Sequence, residues 1–150
     1  LFDGTLDLMG SDHSPFLPEE KEGEDIFAIP PGLPGLESIV PMMLTAVNRN
    51  QLTLPDLVRL MVVRMAEIFN LPGKGEIAIG HDADLTFVDM DARWTFDRHA
   101  CFTKAREVMR FVHGMPMHGK VMRTMVRGET IYDDGQIVGQ PGHGRWLKPA

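Results

Sequence analysis

The sequence predicts an α/β chain, the end of a larger α/β unit joined to a small β structure. Three observations lead there. A short apolar run at residues 6–11 reads as a buried strand, two stretches with helical spacing follow, and after Gly75 the apolar period changes to that of strands. A lone buried strand with two helices cannot close a sheet, so the order is not a self-contained βαβαβ fold.

The elements follow in order. Residues 6–11, Leu-Asp-Leu-Met-Gly-Ser, run into Asp12-His13-Ser14-Pro15-Phe16, where Pro15 pushes Ser14 to an extended conformation and opens a loop. Residues 17–25 are polar and acidic, a solvated loop that ends in Ile29-Pro30-Pro31-Gly32-Leu33-Pro34-Gly35, whose prolines and glycines fix an irregular backbone. Leu36, Val40, Met43 and Val47 then recur at helical spacing, widened by Ile39 and Leu44, with Pro41 tolerable near the first turn or at a kink. A second helix starts at Thr53: Thr53 caps it, Pro55 fits the first turn and Asp56 completes a capping pattern. Its face carries Leu57, Leu60, Met61, Arg64 and Ile68, and residues 71–75 stop it. Residues 76–79, 85–89 and 94–96 read as short strands, with a turn at 80–83. Residues 120–126 and 129–132 follow, and Asp134-Gly135 makes a hairpin with 136–138. The tail from Gly139 is rich in Gly and Pro and is expected to lie extended on the surface.

Composition narrows the function classes. In 150 residues, 43% are hydrophobic and 24% charged, which suits a folded globular chain. A net charge of -6 without a basic stripe argues against nucleic acid, whose binding needs clustered Lys and Arg. No apolar run reaches the roughly 18 residues of a membrane span. Cys101 stands alone, so neither an internal disulfide nor a cysteine metal cluster can form, and a reducing, cytoplasmic setting is expected. The 11 methionines read as adaptable core filler.

Few residues suggest chemistry by pattern. Asp12 lies at the C-terminal end of the expected strand, where a carboxylate can ligate a metal or shuttle a proton, although an Asp before a loop is also a common turn former. His13 next to it reads as a structural residue, and His113 and His118 as loop residues. There is no His-x-His pair, glycine-rich phosphate loop or nucleophile elbow.

Several segments together resemble dihydroorotase, within the cyclic amidohydrolases of the amidohydrolase superfamily. They are Gly10-Ser11-Asp12-His13-Ser14-Pro15, Pro30-Pro31-Gly32-Leu33-Pro34-Gly35-Leu36-Glu37 followed by Leu44-Thr45-Ala46-Val47, and Ile68-Phe69-Asn70-Leu71 with Lys74-Gly75 and Asp82-Ala83-Asp84-Leu85. The last are Phe102-Thr103-Lys104-Ala105, Gly119-Lys120-Val121 and Val126-Arg127-Gly128. They occur in family order over almost the whole chain. The Pro-Pro-Gly run is similar to the dihydroorotase domain of the animal multifunctional pyrimidine-synthesis protein. The resemblance implies the C-terminal part of a TIM-barrel metal-dependent hydrolase. Residues 1–72 would be the last barrel strand, its loop and the C-terminal helices, and residues 73–150 part of a composite β-sandwich with the tail.

The resemblance also implies roles. Asp12 matches the aspartate that ligates one zinc of a binuclear site and shuttles the proton. Pro31 and Gly32 match backbone positions that help hold the cyclic amide substrate. The remaining metal ligands would lie on earlier barrel strands, so zinc is not expected to be fully bound here and the chain alone is expected to be inactive. Two departures stand out. Phe16 replaces the substrate-contacting His typical of dihydroorotases, as in allantoinases, which also lack it, and Arg64-Met65-Ala66-Glu67 replaces the usual Asn-Pro-Ala before Ile-Phe. The implied reaction is reversible cyclisation of N-carbamoyl-aspartate to dihydroorotate. Alternatives are an allantoinase- or hydantoinase-like hydrolase, a non-catalytic dihydroorotase-like subunit, or a β module that binds a partner. Exposed apolar helix faces predict a homo-oligomer, and other pyrimidine-pathway enzymes are implied partners.

Overall fold

The structure, a computed structural model, describes residues 4–149. Residues 6–11 do not form the expected strand: they run without sheet pairing, and mostly exposed to half-buried. A strand needs a ladder on at least one side, and here the segment is tied instead by the Met9 N–H, which donates to the Leu60 carbonyl at 3.1 Å. A single parallel bridge follows, between His13 and Leu33.

Helix α1, Leu36–Asn48, matches its apolar spacing, and Pro41 sits inside it. Leu44 and Thr45 are buried on its inner face. The second helical run begins as the sequence indicates: Thr53 accepts from the Asp56 N–H, and the Asp56 carboxylate accepts from the Thr53 N–H. This helix, α2 (Leu54–Val58), passes through a π turn at Arg59–Val63 into α3 (Arg64–Ile68). In the π turn the Arg64 N–H bonds the Arg59 carbonyl, five residues back. The Leu60 carbonyl, which would take that N–H in an α-helix, accepts Met9 instead.

Four antiparallel strands follow in sequential order: β1 (Leu85–Thr95), β2 (Pro116–Val126), β3 (Glu129–Asp133) and β4 (Gln136–Ile137). Residues 76–79 are not a strand, contrary to the spacing; Ile77 and Ile79 alternate but project into solvent, 90% and 106% exposed. Residues 85–89 and 94–96, read as two strands, are largely one. Register shifts between Phe87 and Val88 and between Asp89 and Arg93 carry the polar stretch Asp89–Asp91 within the ladder. His118 is not a loop residue but pairs with Arg93 inside β2. The hairpin turn at Asp134-Gly135 forms as its sequence requires, both residues having positive φ (36° and 87°).

Helix and sheet meet through α1 and β2. The buried Thr45 hydroxyl donates to the Pro41 carbonyl (2.8 Å) and accepts the His118 N–H (3.0 Å). Gly119, at φ +83°, lets the strand approach the helix: a Cβ there would stand 3.0 Å from the Leu44 Cβ. Two apolar clusters result. Leu44, Leu52 and Leu57 form one, with Val121 and Met90 of the sheet against it. Phe96, Cys101, Met109, Val112 and Met117 form the other, under Trp94. Met109 and Met117 are fully buried, as core filler should be.

A polar latch joins the end of the helical run to the sheet. The Lys74 ammonium, largely buried, pairs with Asp82 at 2.8 Å and with Asp84, whose other oxygen accepts the Arg127 N–H at 2.8 Å. Burial pushes the Asp84 carboxyl up, but the Lys74 and Arg127 bonds outweigh it and hold the group below its ordinary value. The contribution of Asp84 to stability is therefore present above its unfolded pKa, about 3.9, and is lost as pH falls through the lower folded value. Asp84→Asn should flatten the acid limb of a urea-midpoint titration below about pH 4; an unchanged limb would refute the latch. Leu60→Ala, at a fully buried site, should cost about 2–5 kcal/mol of unfolding free energy, read from the same midpoints at neutral pH.

Candidate functional site

Asp12 stands at the mouth of the segment that docks onto the loop before α1. Its backbone is left-handed, φ +44°, a conformation Asp tolerates better than most residues, and its side chain is exposed. The next residues are held on all sides. The His13 Nδ1 accepts the Leu36 N–H at 3.2 Å, satisfying one of the free donors at the start of α1, so His13 has the structural role its sequence suggests. The Ser14 N–H donates to the Leu33 carbonyl at 3.0 Å, and the Ser14 hydroxyl to the Asp12 carbonyl at 3.2 Å.

The loop that receives this segment is shaped by two glycines. Gly32 has φ +99°, and a Cβ on it would meet the Ser14 Cβ and Oγ at 2.6 Å. A Cβ on Gly35 would stand 2.5 Å from the Ser11 carbonyl oxygen. The Ser14 side chain occupies the space of a side chain at Gly32, and the Ser11 backbone that of one at Gly35. Pro31 is exposed beside Gly32. Asp12, Pro31 and Gly32, singled out in the sequence, thus lie on two segments bridged by His13 and Ser14.

Sequence reasoning missed Lys21, read as one charge in a solvated acidic loop. It closes a short 3₁₀ turn, Pro18–Lys21. Its ammonium donates to the Pro30 carbonyl at 2.5 Å and the Gly32 carbonyl at 2.6 Å, and lies 4.9 Å from the centre of the Phe16 ring. A lone Lys among glutamates before a Pro-Gly run was the available signal.

Among the described residues, Asp97, His99 and His113 are a group of three whose ligand atoms lie within 4.8 Å of one another; all are exposed. The group does not include Asp12. One carboxylate does not make a binuclear metal centre, so the residues of this chain alone do not fit the zinc pair that the resemblance implies. Cys101 is buried, and burial first, then the Glu37 and Asp97 carboxylates, push its thiol up to about 11. It is an inert core thiol.

No family profile matches the chain. Its relatives are consistent nonetheless. It is 39% identical over 141 residues to the dihydroorotase of Pyrococcus furiosus, covering 94% of this chain and 32% of that protein. It is 34% identical to the multifunctional protein CAD of Squalus acanthias, over 94% of this chain and 6% of that one. To the allantoinase of Solibacter usitatus it is 37% identical over 97% of this chain and 32% of that one. A solved D-hydantoinase (dihydropyrimidinase) from Thermus sp. superposes with a TM-score of 0.89 at 33% identity, over 98% of this chain and 32% of that structure. Over nearly its whole length the chain is similar to members of the amidohydrolase family. It spans about a third of the length of the dihydroorotase and allantoinase relatives. Its α/β fold with a four-stranded antiparallel sheet matches the corresponding third of the hydantoinase structure.

Gly32→Ala should destabilise the protein by about 1–2 kcal/mol from the left-handed backbone alone, and by more if Ser14 cannot give way; urea unfolding measures it. Ellman's reagent at pH 8 should leave Cys101 unmodified in the native state and titrate one thiol in guanidinium.

Proposed function

We propose that this chain is the C-terminal part of a zinc-dependent cyclic-amide hydrolase, with residues 1–72 completing a (β/α) barrel and residues 73–150 forming part of an accessory β-sandwich. The observation that carries this reading is Asp12, held in a left-handed turn with its carboxylate exposed beside a glycine-shaped loop, in a chain related along nearly its whole length to proteins that open or close cyclic amides.

In this reading Asp12 would hold one of two zinc ions together with ligands from the barrel strands that this chain does not contain. The metal would polarise the scissile carbonyl and lower the pKa of water. The work of this chain's own residues is more limited. The Asp12 carboxylate takes a proton from the attacking water and returns it to the leaving amide nitrogen, which needs a base within hydrogen-bond reach of both. The Pro31-Gly32 backbone offers polar groups to the ring, and the missing side chain at Gly32 lets Ser14 pack against that backbone and hold it. Pro31 and Gly32 orient the substrate; Asp12 moves the proton.

Dihydroorotate formation from N-carbamoyl-aspartate is the proposed reaction, supported by the dihydroorotase and CAD relatives. Phe16 favours a second reading within the class. An aromatic hydrocarbon cannot donate a hydrogen bond to a substrate carboxylate, a contact worth roughly 1.5–3 kcal/mol, so ring opening of allantoin or a hydantoin is the alternative. The protein is proposed to work in the cytoplasm as a homo-oligomer, alongside other pyrimidine-pathway enzymes. Among the described residues no helix is long and apolar enough to cross a membrane.

The purified 150-residue chain should show no turnover. Joined to the upstream two thirds that its relatives carry, it should bind about two zinc ions per chain and hydrolyse one of the three rings. Asp12→Asn should then lower kcat by about 10²–10⁴-fold. Turnover by the isolated chain, or an Asp12→Asn enzyme as fast as wild type, would overturn the proposal.

A further inference from the structure

Resting on the cyclic-amide reading above, we propose that Lys21 is a positioning residue: seated on the Phe16 ring, its ammonium fixes the Pro30–Gly32 backbone in the conformation that receives the substrate. The geometry is specific. Glu19, Glu20 and Glu22 surround Lys21 in the sequence, yet its ammonium turns to two neutral carbonyls, those of Pro30 (2.5 Å) and Gly32 (2.6 Å). Those carbonyls belong to the 30–31 and 32–33 peptide units, so one cation pins the units on either side of the Pro31–Gly32 peptide. The Pro31 carbonyl and the Gly32 amide stay outside the clamp.

The loop needs such a clamp. Three of the seven residues 29–35, Pro30, Pro31 and Pro34, lack an N–H, and prolines cannot hold a loop with backbone donors. Carbonyls left by a missing ladder partner need a donor from elsewhere, and an ammonium supplies up to three. From the other side the loop is held by Ser14, through the Leu33 carbonyl and the space Gly32 leaves open. Lys21 and Ser14 therefore grip consecutive residues of one turn.

Phe16 acquires a role in this arrangement. Its ring face lies 4.9 Å below the ammonium, within the range of a cation–π contact. The residue that replaces the family's histidine thus acts on the loop through Lys21 rather than on the substrate by hydrogen bonding.

The test uses the full-length protein with wild type, Lys21→Met, Lys21→Arg and Phe16→Leu. For each, kcat and KM are measured on the ring that wild type turns over, and amide exchange of the peptide spanning residues 26–38 is followed by mass spectrometry. Lys21→Met should raise KM about tenfold with kcat within about threefold, and speed exchange in that peptide. Lys21→Arg, which keeps a cation for the carbonyls, should recover most of the KM, and Phe16→Leu should fall between. A Lys21→Met KM within twofold of wild type overturns the proposal. So does a parallel fall of kcat, KM performance and melting temperature that arginine does not rescue, since that marks a purely structural residue. If wild type opens no cyclic amide, the functional reading fails, and the exchange data still decide the clamp: unchanged protection at residues 26–38 in Lys21→Met refutes it.

Discussion

Residues 11–14 and 32–36 pass so close that Gly32 and Gly35 have no room for a side chain, and the arrangement of the helical half depends on that approach. Gly35 lies under the Ser11 carbonyl and Gly32 against Ser14. The close fit brings the His13 ring to the free amide at the start of α1 and the Ser14 amide to the Leu33 carbonyl. Each bond satisfies a polar group that would otherwise need water. The direction in which α1 leaves the loop follows, and with it the meeting of Thr45 with His118 across the helix–sheet interface. Asp12 is oriented by the same contact.

Much of the local structure was legible because its causes are local. The Thr53-Leu54-Pro55-Asp56 start needs only residues three apart, and the Asp134-Gly135 turn needs only two that accept positive φ. What failed depended on distant partners. Residues 6–11 have the composition of a strand, but a strand exists only where a neighbour offers a ladder, and the Met9 amide finds a helix carbonyl. Residues 76–79 alternate correctly and stay unpaired for the same reason. The joining of two short runs into β1 was hidden by Asp89 and Asp91, polar residues that a bulged ladder accommodates. His118 looked like a loop residue because Gly114 and Pro116 precede it, and its strand position is secured by a hydroxyl 73 residues away.

The site was legible in a different way. Position at the end of an expected strand pointed to Asp12 without separating a ligand from a turn former, and no spacing singled out Pro31 or Gly32; the run of matching segments did. Pattern does explain why glycine stands at 32 and 35, once the crossing backbones are known. Lys21 left only a slight signal, since an isolated lysine in an acidic stretch looks solvated and its acceptors lie 9 and 11 residues ahead. Side chains that bond to backbone leave little trace in sequence, because any residue can supply a carbonyl.

The π turn at Arg59–Val63 has a geometric result beyond the carbonyl it redirects. An extra residue within one helical turn advances the phase of everything after it by about 100°. Leu57 before the turn and Leu60 at its start face inward and are buried; beyond it, Ile68 and Phe69 come round to the outside, about half exposed. A single run of helix is thereby given two apolar azimuths instead of one. One stripe grips the sheet-backed core, and the other faces outward.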